Sequence, residues 1–212
     1  NPLASLKSAS EIIIETEDKN KREKLVKILS HDVERVERLI TDYSQMLKDE
    51  VALSTEQMNK IDLESIVQSV VEDFNNIYVE KRGIKIDLKI QETKNGFTIL
   101  GIENRIEQIL ANLLDNAISF SKDNQKVTVE VQEKQSDKIV LRVIDQGQGF
   151  KEKKLNKIFD RFYSDRPDKF GEHSGLGLNI VKNLVELHDG IIAASNNPDN
   201  IGARIEIYFP RV

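Results

Sequence analysis

The chain of 212 residues contains no cysteine. This absence excludes a disulfide framework and any metal site built from thiolates, and it fits a reducing compartment. Basic residues are in deficit, 31 against 36 acidic ones, and the net charge of −5 argues against binding to nucleic acid, itself a polyanion. Long apolar runs are also missing: the stretch from Ile12 to Ile14 is far too short to cross a bilayer, and no signal peptide is found at the start. We therefore expect no contact between these residues and a membrane.

Residues 1–51 contain no glycine and a single proline, Pro2. From position 25, apolar residues recur at alternating steps of four and three, which predicts a helix of a coiled-coil-like pair. A weaker series before it and a polar break at 18–21 complete an antiparallel hairpin (residues 1–52). Two helices alone bury too little apolar surface, so we expect two copies to form a four-helix bundle. The strong series is Leu25, Leu29, Asp32, Val36, Leu39, Tyr43 and Met46, and the weak one is Leu3, Leu6 and Ile13.

After a polar linker (residues 53–60), the sequence changes character. Asp62 is a candidate N-cap for a helix that reaches Tyr78. Residues 61–212 then combine alternating apolar patterns with helical ones, which predicts an α+β fold: an α/β sandwich of helices on one face of a mixed, mostly antiparallel sheet. The predicted strands cover about 84–90, 97–100, 127–131, 139–143, 190–195 and 204–209, and the predicted helices 103–120, 151–157 and 175–188.

The most informative segment is the predicted helix over 103–120. Gln108, Asn112 and Asn116 lie one helical turn apart and share a face, while apolar residues fill the rest of each turn. Because buried amides cost free energy unless they find partners, packing alone explains three carboxamides in a row poorly. They suit a polar ligand such as a metal-bound phosphate chain. We therefore expect a nucleotide site on this helix.

The segment Asp145-Gln146-Gly147-Gln148-Gly149 directly follows a predicted strand. Glycines let the backbone approach a flat ring, and a carboxylate at the end of a strand can accept a hydrogen bond from an exocyclic amine such as that of adenine. An ordinary turn stabilised by an aspartate explains this segment equally well, because short glycine motifs are common.

The segment Gly175-Leu176-Gly177-Leu178 opens a predicted helix. The N–H groups and the positive dipole end at a helix N-terminus bind phosphate, and glycine permits a close approach. The segment lacks the lysine and hydroxyl of a Walker loop, and it does not have the dinucleotide pattern that follows a strand. Glycines acting as hinges are the other interpretation. The long polar stretch before it, from 164 to 174, is typical of a lid or of disorder.

Four segments, taken in order, resemble the signature boxes of sensor histidine kinases, and they span most of the chain after Asp62. The resemblance implies a Bergerat-type ATP-binding fold, shared with gyrase, mismatch-repair ATPases and heat-shock chaperones. It also implies ATP and Mg²⁺ as cofactors. The hairpin separates these relatives, because histidine kinases carry one for dimerisation and phosphotransfer and the others do not. The four segments are the Asn112/Asn116 helix, Asp145-x-Gly147-x-Gly149, Phe159-Asp160-Arg161-Phe162 and Gly175-Leu176-Gly177-Leu178.

By this resemblance, Asn116 is the Mg²⁺ ligand, Asn112 lies near the phosphates and Asp145 reads the adenine. The chain departs from the pattern at Ser119, where many relatives carry a basic residue nearby, and at 201–203, which has one glycine where the family often has two. The other residues implied to contact ATP or to anchor its lid are Gly147, Gly149, Phe159, Phe162, Gly175, Leu176, Gly177 and Leu178, with Lys154 and the catalytic candidate Arg161 available to the phosphates.

Of the three histidines, His31 has the surroundings of a phosphoacceptor, since Asp32 follows it. It lies on the second predicted helix, however, whereas the family's acceptor lies on the first, in the motif His-Glu-x-x-Asn-Pro or His-Glu-x-x-Thr-Pro. The chain opens with Asn1 and Pro2, which match the end of that motif. We therefore expect the acceptor to precede Asn1, with His31 as the weaker alternative. The other interpretation is that Asn1 and Pro2 merely begin a helix.

These expectations describe the cytoplasmic core of a sensor histidine kinase, part of a longer membrane-anchored protein. It would transfer the γ-phosphoryl group of ATP to a hairpin histidine for relay to an aspartate of a response regulator. Asn1, by family likeness, would position water when that regulator is dephosphorylated. The expected partners are a second copy of the chain and the regulator. Without the acceptor, the 212 residues would bind ATP but not phosphorylate themselves at the usual site.

Two alternatives stay open. The first is a gyrase-like ATPase, which would need a general-base carboxylate on the helix that carries the amides; Asp115 is adjacent in sequence. The second is a dimeric module that binds nucleotide only as a conformational ligand.

Overall fold

The computed structural model describes residues 2–53, 56–134, 137–151, 154–161, 163, 175–197 and 202–212. Within these ranges the chain forms two compact units, a helical hairpin and a larger α/β unit that starts beyond residue 54. No helix in the described ranges is long and apolar enough to cross a membrane.

The hairpin consists of α1 (Pro2–Glu15) and α2 (Lys19–Leu53). Asp18 begins the second helix, because its Oδ1 accepts hydrogen bonds from the backbone N–H groups of Asn20 (2.9 Å) and Lys21 (3.3 Å). A carboxylate here satisfies donors that the first turn of a helix leaves without partners. The polar segment 18–21 is therefore a helix start preceded by the turn, rather than the turn itself.

Packing between the two helices follows the predicted series in part on each helix. On α1, Leu3 is 64% exposed and Leu6 and Ile13 are half-buried, while the buried residues are the small Ala9 and, directly after the helix, Thr16. Small side chains let two helices approach closely, a feature that apolar spacing does not reveal. On α2, Asp32 is buried, Leu25, Leu29 and Val36 are half-buried, Tyr43 is exposed, and the side chains of Leu39 and Met46 lie outside the described residues.

The α/β unit alternates strands and helices along the chain. The predicted cap at Asp62 is confirmed, because its side chain accepts a hydrogen bond from the Glu64 N–H (3.2 Å) at the start of a helix that ends at Arg82. In chain order the elements are β1 (Asn59–Asp62), α3 (Leu63–Arg82), β2 (Lys85–Ile90), β3 (Thr98–Gly101), α4 (Glu103–Phe120), β4 (Lys126–Lys134), β5 (Lys138–Ile144), a 3₁₀ helix (Leu155–Phe159), α5 (Gly177–Leu187), β6 (Ile191–Asn196) and β7 (Ala203–Pro210).

A five-stranded sheet in the order β2-β4-β5-β7-β6 forms the centre of this unit. β2 and β4 run parallel, and the other neighbours run antiparallel. Alternate residues such as Val129, Leu141 and Ile207 are fully buried on the face that α3, α4 and α5 cover. The opposite face is polar, with Arg142 paired to Glu206. The predicted α+β fold, with helices on one face of a mixed sheet, is confirmed.

Two short elements differ from the sequence-based expectation. The linker does not reach Lys60, because Asn59–Asp62 form β1, which pairs antiparallel with β3. The helix expected over 151–157 is wrong, since a 3₁₀ helix covers Leu155–Phe159 instead. Elements of four or five residues are too short for periodicity to identify them.

The ends of α5 also differ in detail from the prediction. The helix begins at Gly177 rather than Gly175, and the residue that leaves it in the left-handed conformation is Asp189 (φ 52°). Gly190, which the sequence suggests as the residue that closes the helix, is required by packing instead: a methyl group on its Cα would lie 2.9 Å from Val185 Cγ1. Close packing against the helix, rather than backbone conformation, explains this glycine.

Candidate functional site

α4 presents its three carboxamides on one face, as their spacing predicts. Gln108, Asn112 and Asn116, called the amide ridge below, are half-buried, while the apolar residues between them belong to the core. α5 packs against α4 and brings Gly177 to the ridge. A methyl group on the Gly177 Cα would lie 3.5 Å from Asn112 Oδ1 and 3.6 Å from Asn116 Nδ2. The first turn of one helix thus faces two amides of the other, across a gap that a large side chain at 177 would fill.

The N-terminus of α5 lies beside the amide ridge. No side chain caps it among the described residues, and its first turn carries no acidic residue. The first-turn N–H groups and the positive end of the helix dipole therefore lie beside the ridge, an arrangement suited to phosphate. Leu176 is fully buried, so its side chain belongs to the core and only its backbone can serve a ligand; Leu178 is half-buried.

Asp145 directly follows β5 and is 7% exposed. Its Oδ1 accepts hydrogen bonds from the backbone N–H groups of Gly147 (2.8 Å) and Ala203 (3.0 Å). Burial raises the pKa of the Asp145 carboxyl, and the two backbone donors oppose that rise. Because the backbone holds Oδ1, the orientation of the carboxylate is fixed, and Oδ2 is the oxygen that can accept from an exocyclic amine.

Two glycines let the chain fold tightly around Asp145. A methyl group on Gly147 would lie 2.6 Å from the carbonyl oxygen of Phe120, the last residue of α4. A methyl group on Gly202 would overlap the carbonyl oxygen of Asp145 itself, and Gly202 has a φ of 90°. Its neighbour Ala203 serves through its backbone, since its N–H donates to Asp145 Oδ1 and its carbonyl oxygen accepts from the Asp145 N–H (3.0 Å each), so one glycine at 202 meets the requirement here.

Two asparagines brace the site, and sequence analysis missed both. Asn196 bonds to both backbone groups of Phe150: its Oδ1 accepts from the N–H (2.7 Å) and its Nδ2 donates to the carbonyl (3.0 Å). Asn179, in the first turn of α5, donates from Nδ2 to the carbonyl of Phe159 (2.9 Å). Single asparagines belong to no periodic pattern, so no signal in the sequence marks them.

The segment between the Asp145 loop and α5 is described in part. Phe159 is 5% exposed and lies at the end of the 3₁₀ helix, whereas Lys154 and Arg161 are exposed. Gly149 and Gly175 both adopt a positive φ, 72° and 74°. The predicted sites at Asn1 and Phe162 lie outside the described residues.

Two of the three histidines, His31 and His188, lie among the described residues, and their environments differ. His31 is exposed on α2, whereas the neighbouring Asp32 is buried, with an Oδ2 atom that has no hydrogen-bond partner among the described residues. The weaker alternative, His31 as the phosphoacceptor, stays a prediction.

His188 closes the end of the α4–α5 pair that lies opposite the amides. It is 3% exposed, its Nδ1 lies 2.6 Å from the carbonyl oxygen of Leu184, and its Nε2 accepts from the N–H of Ile102, which precedes α4 (3.1 Å). These two bonds require a neutral ring with its proton on Nδ1. Burial lowers the pKa of His188, while the Leu184 carbonyl and the charge of Asp189 oppose that shift.

The contacts place the candidate groups in order along α4. The Asp145 loop lies beside Phe120 at the C-terminal end, Gly177 lies beside Asn112 and Asn116, and Gln108 is nearest the N-terminus. ATP fits this order, with an amine acceptor at one end and amides facing a helix N-terminus at the other.

A divalent cation that arrives with the phosphates also fits the ridge. The described residues contain no cluster of three or more His, Cys, Asp or Glu side chains that could hold a metal. Mg²⁺ commonly takes one or two protein oxygens and completes its shell with phosphate oxygens and water. The carboxamide of Asn116, beside Gly177, is such an oxygen donor.

Residues 101–212 match the family model of the histidine kinase-, DNA gyrase B- and HSP90-like ATPases. This chain belongs to that family. The matched region contains α4, the Asp145 loop and α5, so the candidate site lies within an ATP-binding domain. The Bergerat-type fold expected from the four signature segments is confirmed.

The relatives with sensor-kinase names extend the match to the whole chain. The sensor protein ChvG of Agrobacterium fabrum is 34% identical over 220 residues, which cover 99% of this chain and 37% of ChvG. Full-length ShkA, solved with AMPPNP, has a TM-score of 0.67 at 19% identity, over 100% of this chain and 47% of that one. The histidine kinase ThkA, solved with the response regulator TrrA, has a TM-score of 0.65 at 21% identity, over 100% and 58%. The chain thus spans little more than a third of ChvG.

Proposed function

We propose that this chain is the catalytic core of a sensor histidine kinase that uses Mg²⁺-ATP to phosphorylate a histidine and relays the phosphoryl group to a response regulator. The main observation behind the proposal is that Gly177 lies beside Asn112 and Asn116, while the loop of the buried acceptor Asp145 lies beside the C-terminal end of α4. A triphosphate with adenine at one end suits this line of groups. The names of the matched relatives support the same reaction.

The chain's own groups bind and orient ATP. Asp145 accepts from the amine of adenine, Asn116 offers its amide oxygen to Mg²⁺, and the first turn of α5 offers N–H groups to the phosphates. Bound Mg²⁺ supplies charge neutralisation on the triphosphate. Lys154 and Arg161, both exposed, add positive charge from the segment around the 3₁₀ helix. Catalysis of this kind rests on positioning and electrostatics rather than on covalent chemistry by the protein.

The gyrase-like alternative is disfavoured by the environment of Asp115. This carboxylate is exposed and accepts a hydrogen bond from the hydroxyl of Tyr78 on α3 (3.4 Å), so it faces away from the amide ridge. At the N-terminal end of the ridge the group present is Gln108, a neutral amide that cannot act as a general base.

The proposal assigns dimerisation and phosphotransfer to the hairpin. Apolar side chains such as Leu3, Ile14 and Ile40 are 64%, 82% and 61% exposed, which supports pairing with a second copy into a four-helix bundle. The acceptor histidine precedes Asn1 in this proposal, and Asn1 orients water when the regulator is dephosphorylated. The domain is the cytoplasmic part of a membrane-anchored sensor, since ATP and the regulator are found there.

The test supplies the acceptor on a partner. The chain is mixed with γ-labelled ATP and with a longer form of the same protein that includes the residues before Asn1 and carries Asn116→Ala. We expect label to appear on the longer protein as an acid-labile, base-stable phosphate, the behaviour of a phosphohistidine. Transfer from the labelled protein to an aspartate of the regulator tests the relay.

Two controls separate the remaining interpretations. The same mixture with Asn116→Ala in both proteins should give no label. If the chain binds ATP but no label reaches the partner, the module that binds nucleotide without catalysis is supported and the kinase proposal is rejected. If label is instead lost as free phosphate, the gyrase-like hydrolase is supported.

A further inference from the structure

A partly buried ion pair lies at the N-terminal end of the amide ridge. Arg105, in the first turn of α4, is 9% exposed, and its guanidinium donates to both oxygens of Glu56: Nη2 to Oε1 (3.0 Å) and Nε to Oε2 (3.2 Å). Its Nη1 also donates to Oε1 of Gln108 (3.2 Å). A guanidinium is planar, so bonds along two of its edges fix its orientation. One buried cation thereby joins the ridge to a residue outside α4.

Gln108 lies beyond the phosphates if ATP has the proposed orientation. The Asp145 loop lies beside Phe120, and Gly177 lies beside Asn116 and Asn112, so the base and the phosphates follow one another towards the start of α4. Four residues of helix separate Asn112 from Gln108, about 6 Å at the rise of an α-helix. Gln108 is therefore at the end where the terminal phosphate lies and where its acceptor must approach.

The hydrogen bond from Arg105 also fixes the orientation of the Gln108 carboxamide, that is, where its oxygen and its nitrogen lie. Because Oε1 is turned to the guanidinium, Nε2, the donor, occupies the other edge of the planar amide. Phosphate oxygens are acceptors, so this orientation suits them. Were the amide to turn over, its oxygen would face the phosphate instead, and two acceptors repel each other.

Glu56 contributes to holding Arg105 in this place through both of its carboxylate oxygens. A cation in the first turn of a helix is opposed by the positive end of the dipole, and a buried charge costs free energy unless it is paired. The Glu56 carboxylate offsets both effects at once. Glu56 belongs to the α/β unit and lies in the short segment between Leu53, the last residue of α2, and Asn59, the first residue of β1, called the connecting segment below.

We propose that Arg105 is a positioning residue for the terminal phosphate of ATP, acting through Gln108, and that Glu56 makes its position depend on the connecting segment. The inference rests on the proposed function, since it uses the orientation of ATP given there. A shift of the connecting segment that withdraws Glu56 releases Arg105, and Gln108 then loses its fixed orientation. A movement of the connecting segment would therefore change how the site binds the terminal phosphate and would leave adenine binding unchanged.

The test compares two nucleotides in the 212-residue chain, because only one of them has the terminal phosphate. Glu56→Gln removes the charge and keeps the shape, and Arg105→Met removes the guanidinium. For each variant we expect the affinity for Mg²⁺-AMPPNP, measured by calorimetry, to fall about five- to tenfold, the size of one ordinary hydrogen bond. The affinity for Mg²⁺-ADP should stay within about twofold.

A matched control exists on the open face of the sheet. Arg142 and Glu206 form a pair with Nε and Oε1 2.5 Å apart and side chains 19% and 15% exposed, on neighbouring strands β5 and β7. Glu206→Gln removes a comparable charge from the same unit. We expect it to leave both nucleotide affinities unchanged, so an effect of Glu56→Gln alone is specific to the ridge.

A third variant, Gln108→Leu, keeps the test decisive if either ion-pair variant folds poorly. It should reproduce the selective loss of AMPPNP affinity, and combining it with Arg105→Met should add no further loss. Equal losses for AMPPNP and ADP, or no loss, would overturn the inference. Asn116→Ala tells that failure from failure of the proposed site: if it leaves both affinities unchanged, the orientation of ATP is itself wrong.

Discussion

At one end of the α4–α5 pair Gly177 faces Asn112 and Asn116 across a gap, whereas at the other end His188 fills the space between the helices and bonds to both. We call these the site end and the closed end. At the closed end, the ring nitrogens of His188 satisfy the Leu184 carbonyl and the Ile102 N–H. At the site end, no side chain caps α5 among the described residues.

The difference separates stability from function within one helix pair. Every polar group that His188 reaches has a partner, so the closed end stabilises the packing of the two helices. The site end holds amides and helix N–H groups that gain most when a ligand arrives, so it contributes less to the stability of the unliganded chain. Substitutions at the site end should therefore weaken ATP binding with little change in stability. Substitutions at the closed end should lower stability with little change in ATP binding.

The largest effect is expected at the site end. Asn116→Ala removes the proposed Mg²⁺ ligand, and calorimetry should show Mg²⁺-ATP affinity reduced by at least about a hundredfold. The hairpin dimer should remain, as measured by light scattering. The control is Asn75→Ala on α3, whose amide bonds to both backbone groups of Ile86 (2.9 and 3.0 Å) and should affect stability instead. Unchanged affinity in Asn116→Ala would reject this residue as the metal ligand.

The opposite signature is expected at the closed end. His188→Ala leaves a cavity and removes the hydrogen-bond partner of the Ile102 N–H, so the free energy of unfolding in urea should fall by about 2–4 kcal/mol. The ATP affinity of the folded protein should change little. His31→Ala, at an exposed position, is the control and should alter stability by less than about 0.5 kcal/mol. Loss of ATP binding without loss of stability in His188→Ala would contradict the division into two ends.

Gly177→Ala sharpens the comparison, because it should move stability and binding in opposite directions. A methyl group here makes ordinary contacts with the two amides, 3.5 and 3.6 Å away, so it fits the empty site. Replacing a helical glycine should raise the unfolding free energy by up to about 0.5 kcal/mol, while crowding the phosphates weakens ATP about tenfold. Adenosine, which has no phosphates, should bind as before. Equal weakening of adenosine and ATP would show that the methyl group distorts the whole site.

The smallest effect concerns pH. The pKa of His188 is lowered by burial below its ordinary 6.5, so the unfolded chain binds the proton more readily than the folded one. The stability that His188 contributes is therefore present above pH 6.5 and is lost as the pH falls below it. The raised pKa of Asp145 acts in the opposite sense, because protonation there favours the folded state. In His188→Phe, the unfolding free energy measured at several pH values should no longer fall below pH 6.5 on account of His188. An unchanged dependence on pH would contradict this assignment.

Much of the fold follows from sequence patterns. The bounds of α4 and the alternation of β4 and β5 agree with the prediction because long amphipathic elements repeat their period several times. β1 was missed because its four residues pair with β3, a contact that depends on tertiary structure. The 3₁₀ helix replaces the α-helix expected over 151–157 because a run of lysines shows polarity but not backbone geometry.

The site was predictable to the extent that its groups repeat or stand in a known segment. The helical spacing placed Asn112 and Asn116 on one face, and their roles at the metal and phosphates stay predictions. Asn179, Asn196 and Arg105 were missed, because each acts through a backbone group or side chain distant in sequence. Such partners become visible only when the chain has folded.

The parallel pairing of β2 with β4 has a consequence for how the molecule assembles. Parallel neighbours cannot be joined by a tight turn, so the chain between Ile90 and Lys126 must travel back across the sheet before the second strand can register with the first. α4 belongs to this connection between β2 and β4. The helix that carries the amides is thus positioned only after a long loop has closed, a step that slows folding.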